Sequence, residues 1–529
     1  MADFAAPGDS RPSRGTGNVS ANFDATDMTA FTASVLATEH PAVIATAGLH
    51  ADFMQAYIVH STSQDVLTLI EKYASLCEGY LSKVRKVTEI LASRKGEPVW
   101  MEAITCETLL TIELNTWMLT GSLLRDRLKA DELMKEDADT TIFVDGSREA
   151  SEWEIVEALM ARDSFARRAQ LVVDWLESCV AHQRGVGNDD ERLECFAGRG
   201  SVWKNTLHHV KACADVGSAP SSYVTELDPD TPSRERLPIN NRDYEDEVRL
   251  FRSVFFHLRA GQWQRAQELA ADNGHYSLAA ALEDWRPYHD PNNGSIMGAD
   301  SMQPARGNLY QNLSKCACWE AASNPTCSLY ERAVYGALCG NVQAMLPVCT
   351  TWEDKLWARM RAVVDVCVEQ KLRTAMQQAR SLEPQPPDYP CGRGMLEAVF
   401  RDLQAAAGVG ETRGQKITHI LQRGLVLDEA VSTIEEIHDW VSAQVIEPPL
   451  LFMRFLAHMV LFLRQVGRET DTGACSALFC TYVDRLFDEG HVPFVSTHAA
   501  TPPASNQAAK YTQLAQPQNE RPRRTGALP

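Results

Sequence analysis

The sequence predicts an all-α protein, an irregular α-helical solenoid whose helices stack side by side. Three observations support this fold class. Apolar residues recur at helical spacing along most of the 529 residues, which exceed what one compact core holds. A triplet of short helices punctuated by glycine occurs in residues 245–285 and again, more loosely, in residues 330–367. Alternating runs bounded by hairpin turns are not found, and residues 141–144 are a short, isolated exception.

The first elements are a leader and a helical region. Residues 1–24 are rich in Gly, Ser, Pro and Ala without periodicity, and we predict that they are disordered. Residues 25–150 are predicted to form N-terminal helices. Leu69, Ile70 and Tyr73 share one face there at helical spacing.

Residues 151–290 are predicted to form helical hairpins. Trp153, Val156 and Met160 make one apolar stripe of a first helix, with Ile155 and Leu159 beside it. Ser164 follows almost at once and is the predicted N-cap of a second helix. Because almost nothing separates the two helices, we expect them to pack as an antiparallel pair.

The most informative stretch is EDEVRLFRSVFFHLRAGQWQRAQELAADNGHYSLAAALEDW (residues 245–285). Gly261 stands where a left-handed C-terminal cap belongs. Within residues 291–497 the pattern returns at residues 330–367, where Thr351 and Asp354 have the spacing of a capping box. We therefore expect further stacked helices up to residue 497.

One helix carries more apolar residues than a single buried stripe requires. Such a helix is either sandwiched inside the stack, which we favour, or forms half of a partner interface. The candidate interface residues are Leu250, Phe251, Phe255, Phe256 and Leu258.

Composition restricts the function classes. The net charge of -19 would repel a phosphate backbone, so we expect no direct nucleic-acid binding. The N-terminus lacks the apolar run of a signal peptide, and the fourteen cysteines should therefore be reduced thiols. The longest apolar run, Leu450 to Leu463, is shorter than the roughly 20 residues that cross a bilayer, so we predict no transmembrane segment.

Metal sites find little support. Cys316 and Cys318 form a Cys-x-Cys with Cys327 nearby, but a second paired knuckle is missing, and structural zinc sites need two. His208 and His209 are adjacent, so on a helix they point about 100° apart and cannot readily share an ion. We predict no metal and no cofactor.

Catalytic chemistry is equally unsupported. Phosphate-binding, dinucleotide-binding, metalloprotease and nucleophile-elbow motifs do not occur in the chain. His289 and Asp290 would need a third group and a pocket to act as an acid–base pair. A turn formed by Asp290, Pro291 and Asn292 explains this segment. We therefore predict that the chain is not an enzyme.

Several segments in order resemble the nucleoporin 107 family. They are LDPDTP (227–232), DEVRLFRSVFFHLRAGQWQRAQELA (246–270), WRPYHDPN (285–292), CWEAA (318–322), YERAVYGALCGN (330–341) and LPVCTTWEDKLWARMRAVVD (346–365), with NTWMLTGSLLRDRL (115–128) and SVWKNTLHHVK (201–211) upstream.

The resemblance implies a helical stack that folds back on itself as a trunk, a crown and a tail. Residues 25–150 would then be N-terminal trunk helices and residues 151–290 the crown. Residues 291–497 would be returning trunk helices and the start of the tail module. It also implies a non-enzymatic scaffold of the Y-shaped outer-ring complex in the nuclear envelope. That complex supports pore assembly, mRNA export and nucleocytoplasmic transport.

In this family the crown and neighbouring trunk face nucleoporin 96, and the far C-terminal tail binds nucleoporin 133. The resemblance fades after residue 497, and residues 498–529 are predicted to be an unrelated, disordered tail. We therefore expect a C-terminally truncated family member that binds nucleoporin 96 and has lost nucleoporin 133 binding.

Two other classes remain open from composition alone. Another α-solenoid subunit of a vesicle-coat-like or tethering assembly would share the stacked-helix pattern, and co-purification with pore subunits rather than cargo adaptors discriminates it. An enzyme whose site is assembled from distant helices would instead show a deep cavity with converging titratable groups.

Overall fold

The predicted all-α class is confirmed. A computed structural model describes residues 35, 40–60, 66–136, 151–184, 202–216, 222–228, 230–292, 303–376, 383–390, 392, 394–405, 413–442, 448–468 and 473–488. This part of the chain contains helices and turns without a β-strand, apart from an isolated bridge between His289 and Arg306. The predicted leader, the predicted tail and residues 141–144 lie outside the described residues.

The chain forms two compact units. The central unit contains Met134–Gly408, and the terminal unit combines Gly8–Leu133 with Val409–Pro529. Residues 151–290 therefore belong to the same unit as most of the helices that follow them. The finer division into trunk, crown and tail remains a prediction.

The terminal unit is built from the two ends of the chain. Its helices are α1 (Pro41–Thr46), α2 (Leu49–His60), α3 (Val66–Ile90) and α4 (Pro98–Glu136), and then, after the central unit, α17 (Arg413–Leu427), α18 (Ala430–Ser442), α19 (Leu450–Gln465) and α20 (Gly473–Asp488). Trp117 of α4 lies at the centre of its core, edge-on to Phe455 and Phe462 of α19 at 5.8 and 6.0 Å between ring centroids. The returning helices thus share one core with the N-terminal helices.

The central unit contains the helices between these two groups. They are α5 (Glu152–Arg162), α6 (Ser164–Arg184), α7 (Lys204–Val216), α8 (Thr231–Glu235), α9 (Asn241–Arg259), α10 (Trp263–Asp272), α11 (Tyr276–Ala281), α12 (Gln311–Ser323), α13 (Leu329–Cys339), α14 (Val342–Met345), α15 (Trp352–Met376) and α16 (Leu396–Ala405). The long helix α15 packs against both α5 and α6, so the predicted hairpin is covered by a helix that follows it much later in the chain.

One detail of that hairpin was predicted wrongly. The N-cap of α6 is Asp163, whose Oδ1 accepts hydrogen bonds from the amides of Phe165 and Ala166, and Ser164 is the first helical residue. A carboxylate satisfies two free amides here, which one hydroxyl does less well. In α5, the predicted apolar residues Val156, Ile155 and Leu159 are buried against α15, while Trp153 and Met160 are half-buried at the edge of this contact.

The glycine-terminated helices are confirmed. Gly261 has φ +70° after α9, and the amide of Gln262 donates to the carbonyl of His257, five residues earlier. Gly340 has φ +76° after α13, with the same bond from Asn341 to Gly336. Both are Schellman-type ends, in which a left-handed residue lets the chain turn back and satisfy the last carbonyls of the helix.

Membrane-spanning potential is confined to one stretch of the described residues. Pro41–His60 is long and apolar enough by length and composition, with 39% of it buried. A turn at Ala47 and Gly48 divides it into α1 and α2, and both helices pack against α3. Residues 450–463, the longest apolar run predicted from sequence, form the buried helix α19 as expected.

Candidate partner-binding surfaces

Four of the five predicted interface residues face the interior of their own chain. The exposed fraction is 2% for Leu250, 4% for Phe251 and Phe255, and 0% for Leu258. Phe256 is half-buried beneath the guanidinium of Arg252. Internal packing, the alternative that we favoured, therefore accounts for the four buried residues, and they are poor candidates for partner contact.

The neighbours of α9 explain why it is apolar around most of its circumference. The ring of Phe251 lies 6.4 Å from that of Tyr335 on α13. The ring of Phe255 is edge-on to Trp357 on α15, at 5.9 Å between centroids. Helix α9 is thus enclosed on more than one side, because it lies between helices that come before and after it in the chain.

Polar contacts between α6, α9 and α15 fix this packing. Arg259 Nε donates to Asp354 at 2.9 Å, and its Nη1 donates to the carbonyl of Leu176 at 2.7 Å. Trp357 Nε1 donates to Glu177 at 3.0 Å. Burial raises the pKa of the Glu177 carboxyl. These groups hold one another in place, and they hold the helices with them.

A second polar cluster joins α12 to α15. Lys315 Nζ lies 2.8 Å from Asp365 and 3.0 Å from Glu369. Tyr389 donates its hydroxyl to Asp365 at 2.7 Å. Burial lowers the pKa of Lys315, but the two carboxylates outweigh it and keep that pKa above its usual range. A lysine held protonated in this way cannot act as a general base at neutral pH.

Exposed apolar side chains occur elsewhere in the central unit. The exposed fraction is 71% for Tyr276, 64% for Tyr310, 53% for Leu313 and 55% for Leu329. Each lies at or near the first turn of a helix, from α11 to α13. Sequence reasoning missed them, because an exposed tyrosine at a helix start has the same local pattern as a buried one.

The terminal unit contains an open groove of about 890 Å³. Its floor is mainly apolar and includes Leu123 and Leu463. At its edge the Asp428 carboxylate lies 2.8 Å from Arg127 and 2.6 Å from Arg468. All three charged groups are partly exposed, and the Asp428 carboxylate forms an ion pair with each arginine.

The cysteines considered for zinc are dispersed. Cys318 lies in a core with Ala322 and Cys339, and burial raises the pKa of its thiol to about 12. Cys316 Sγ lies 3.5 Å from the carbonyl of Pro384. Within the described ranges, no three His, Cys, Asp or Glu side chains are grouped as a metal site requires.

The candidate histidines have structural environments. His289 Nδ1 lies 3.2 Å from the Ser151 hydroxyl at the start of α5. The predicted turn is confirmed, because the Asp290 carboxylate accepts the amide of Asn292 at 2.9 Å. His208 is exposed, while His209 is edge-on to a neighbouring tyrosine ring.

Stacked helices, polar contacts that join them and exposed apolar side chains define a protein of the helical-scaffold class. Within that class the chain belongs to the family described as nuclear pore protein 84 / 107, whose model matches residues 107–528. The matched span includes residues 498–528, where the sequence pattern predicts an unrelated tail.

Curated relatives agree with this assignment. The chain is 34% identical over 490 residues to the nuclear pore complex protein Nup107 of Homo sapiens, covering 92% of this chain and 51% of that protein. It is 30% identical to the protein of the same name from Drosophila melanogaster, covering 90% and 56%. Nucleoporin nup107 of Schizosaccharomyces pombe is 26% identical, with 79% and 48% covered. The chain thus spans about half the length of the curated relatives it matches.

Proposed function

We propose that this chain is a structural subunit of the outer-ring, Y-shaped complex of the nuclear pore. It would reside at the nuclear envelope and support pore assembly, mRNA export and nucleocytoplasmic transport. The observation that carries this proposal is the family match over residues 107–528. The names of the curated relatives, which are nuclear pore proteins in animals and fungi, agree with it.

The role we propose is non-catalytic. In the central unit, buried and partly buried charged groups contact one another across helices: Arg259 with Asp354, and Lys315 with Asp365. Such contacts determine how helices are placed, which is what a scaffold requires of its interior. Binding to other outer-ring nucleoporins would therefore depend on the surface.

For nucleoporin 96, the partner that the family resemblance implies, we propose a different set of contacts from those predicted by sequence. Tyr276, Tyr310 and Leu313 are among the exposed apolar side chains of the central unit. Large exposed apolar and aromatic side chains commonly anchor protein interfaces. The buried residues of α9 could not reach a partner without disrupting the core.

Co-purification tests both parts of the proposal. The full chain is expressed together with nucleoporin 96 and captured by a tag. Capture of nucleoporin 96 supports the proposal, and Tyr310→Asp with Leu313→Asp should weaken it at least tenfold. The double variant should retain the circular dichroism and thermal midpoint of the wild type, because both side chains are exposed.

Ser323→Asp is the matched control, since it adds a charge at an exposed position of the same helix α12. It should bind like the wild type. If nucleoporin 96 is not captured at all, the partner assignment fails. If the double variant binds as tightly as the control, the proposed contact residues are wrong while the scaffold role stands.

A further inference from the structure

Helix α19 is buried on every side. All residues from Phe452 to Leu463 are buried, so the helix has no solvent-facing stripe. An amphipathic helix is oriented by its apolar face, but a helix enclosed all round has no such preference. Apolar contacts alone therefore specify its rotation and its register along its own axis only weakly.

Two polar side chains interrupt this apolar surface. Arg454 and His458 are both 0% exposed and are four residues apart, so they lie on one face of α19. The guanidinium of Arg454 donates through Nη2 to the Glu113 carboxylate of α4, and it lies 4.1 Å from the ring centre of Phe53. His458 Nδ1 lies 3.0 Å from the Tyr73 hydroxyl of α3.

The acceptor is itself held in place. Trp117 Nε1 donates to Glu113 at 3.2 Å from one turn further along α4. Burial, and next the charge of the Glu113 carboxylate, raise the pKa of the Cys77 thiol. Glu113 therefore has one orientation, and Arg454 has one place to bind it.

We propose that Arg454 and His458 form a register lock, which selects one rotation and one axial position of α19 against α3 and α4. A slip by one helical turn, about 5.4 Å, would leave both members of the Arg454–Glu113 pair buried and uncompensated. A rotation of α19 about its own axis would break the Arg454–Glu113 and His458–Tyr73 contacts at once. The alternative packings that an all-apolar α19 could adopt are thereby excluded.

The geometry indicates that the Arg454–Glu113 pair selects one packing of α19 and adds little to the free energy of unfolding. Arg454 Nε and Nη1 are buried and find no hydrogen-bond acceptor in the described part of the chain. Buried ion pairs with unsatisfied groups commonly add little net stability compared with apolar replacements. The lock thus resembles a single buried polar contact that fixes register between helices.

Hydrogen exchange and urea unfolding of the full chain test the lock. Arg454→Met alone should lower the unfolding midpoint, because it leaves Glu113 buried without its cation. Arg454→Met with Glu113→Gln should restore the midpoint, because the neutral amide oxygen can still accept the hydrogen bond from Trp117. In this double variant the amides of α19 should nevertheless exchange at least tenfold faster, and the unfolding transition should broaden.

Two further variants keep the test decisive. Tyr73→Phe removes only the hydroxyl that contacts His458 and should speed exchange in α19 several-fold. Met453→Leu, a change of similar volume on the same helix, should leave exchange unchanged. Wild-type exchange in both the double variant and Tyr73→Phe overturns the lock. A double variant that cannot fold also overturns it, because it would make the pair essential for stability.

Discussion

Helices α15 and α19 both return late in the chain to pack against earlier helices, but they are anchored differently. Helix α15 carries polar contacts along its length, and several of the groups involved are partly exposed. These contacts are Asp354 with Arg259, Trp357 with Glu177, and Asp365 and Glu369 with Lys315. On helix α19, Arg454 pairs with Glu113, and the exposed fractions of these two side chains are 0% and 4%.

The difference concerns what happens when one contact is lost. Asp354 has a side-chain exposure of 22%, so water can solvate it if Arg259 is removed. Glu113 has no such access. The partly exposed contacts of α15 should therefore tolerate the loss of one partner. The fully buried ion pair of α19 should not.

The largest expected loss of stability follows from removing Glu113, the acceptor of the buried ion pair with Arg454. Glu113→Leu leaves the Arg454 guanidinium buried without a counter-ion, and we expect a loss of about 3–5 kcal/mol in the free energy of unfolding. Urea denaturation followed by circular dichroism measures it. Glu107→Leu is the matched control on the same helix, because Glu107 pairs with Arg85 at the surface.

The control Glu107→Leu should lower the free energy of unfolding by less than about 1 kcal/mol, as is usual for surface ion pairs. Equal losses for Glu107→Leu and Glu113→Leu would show that burial of the pair does not matter. The contrast between α15 and α19 would then lose its physical basis.

A smaller loss is expected for the corresponding change at α15. Arg259→Met removes the donor to Asp354 and to the Leu176 carbonyl, and it should cost about 2 kcal/mol. Asp354 keeps water and the Thr351 amide as partners. Arg249→Met, at an exposed position of the same helix, serves as the control. A loss as large as that of Glu113→Leu would contradict the view that α15 tolerates single changes.

The parts of this fold that follow from short-range chemistry could be predicted from sequence. The left-handed end at Gly261 requires only a residue without Cβ at the right place. The capping box is also local, since Thr351 and Asp354 bond each other's amides at 3.3 and 3.1 Å. Helical periodicity likewise identified α9, and a long apolar run identified the buried helix α19.

The contacts that anchor the returning helices could not be predicted in this way. Glu113 and Arg454 are 341 positions apart, and neither position has a local signal that it is paired. The candidate surface could not be predicted either. Periodicity places a residue such as Phe255 on an apolar helix face, but it does not show which neighbour covers that face. Long-range packing decides whether an apolar residue is core or interface.

The smallest expected effect is a pH dependence in the central unit. The pKa of Glu247 on α9 is raised to about 8, chiefly by burial and to a smaller extent by the nearby carboxylates of Glu331 and Asp243, while a hydrogen bond from Trp203 opposes the shift. The folded state then binds a proton that the unfolded state has released. This contribution is fully present below pH 4.5, the ordinary pKa of a glutamate, and is lost as the pH rises through about 8.

Glu247→Gln cannot ionise and should therefore remove this slope. We expect the free energy of unfolding of this variant to match that of the wild type near pH 5. At pH 8.5 it should be higher by about 1 kcal/mol, a modest gain because the side chain is only partly buried. Urea titrations at both pH values measure the difference. Glu245→Gln, exposed on the same helix, should keep the wild-type slope. A wild-type slope in Glu247→Gln would show that this carboxyl is ionised in the fold. The charge on α9 would then have to be tolerated as the charges on α15 are, by partial hydration.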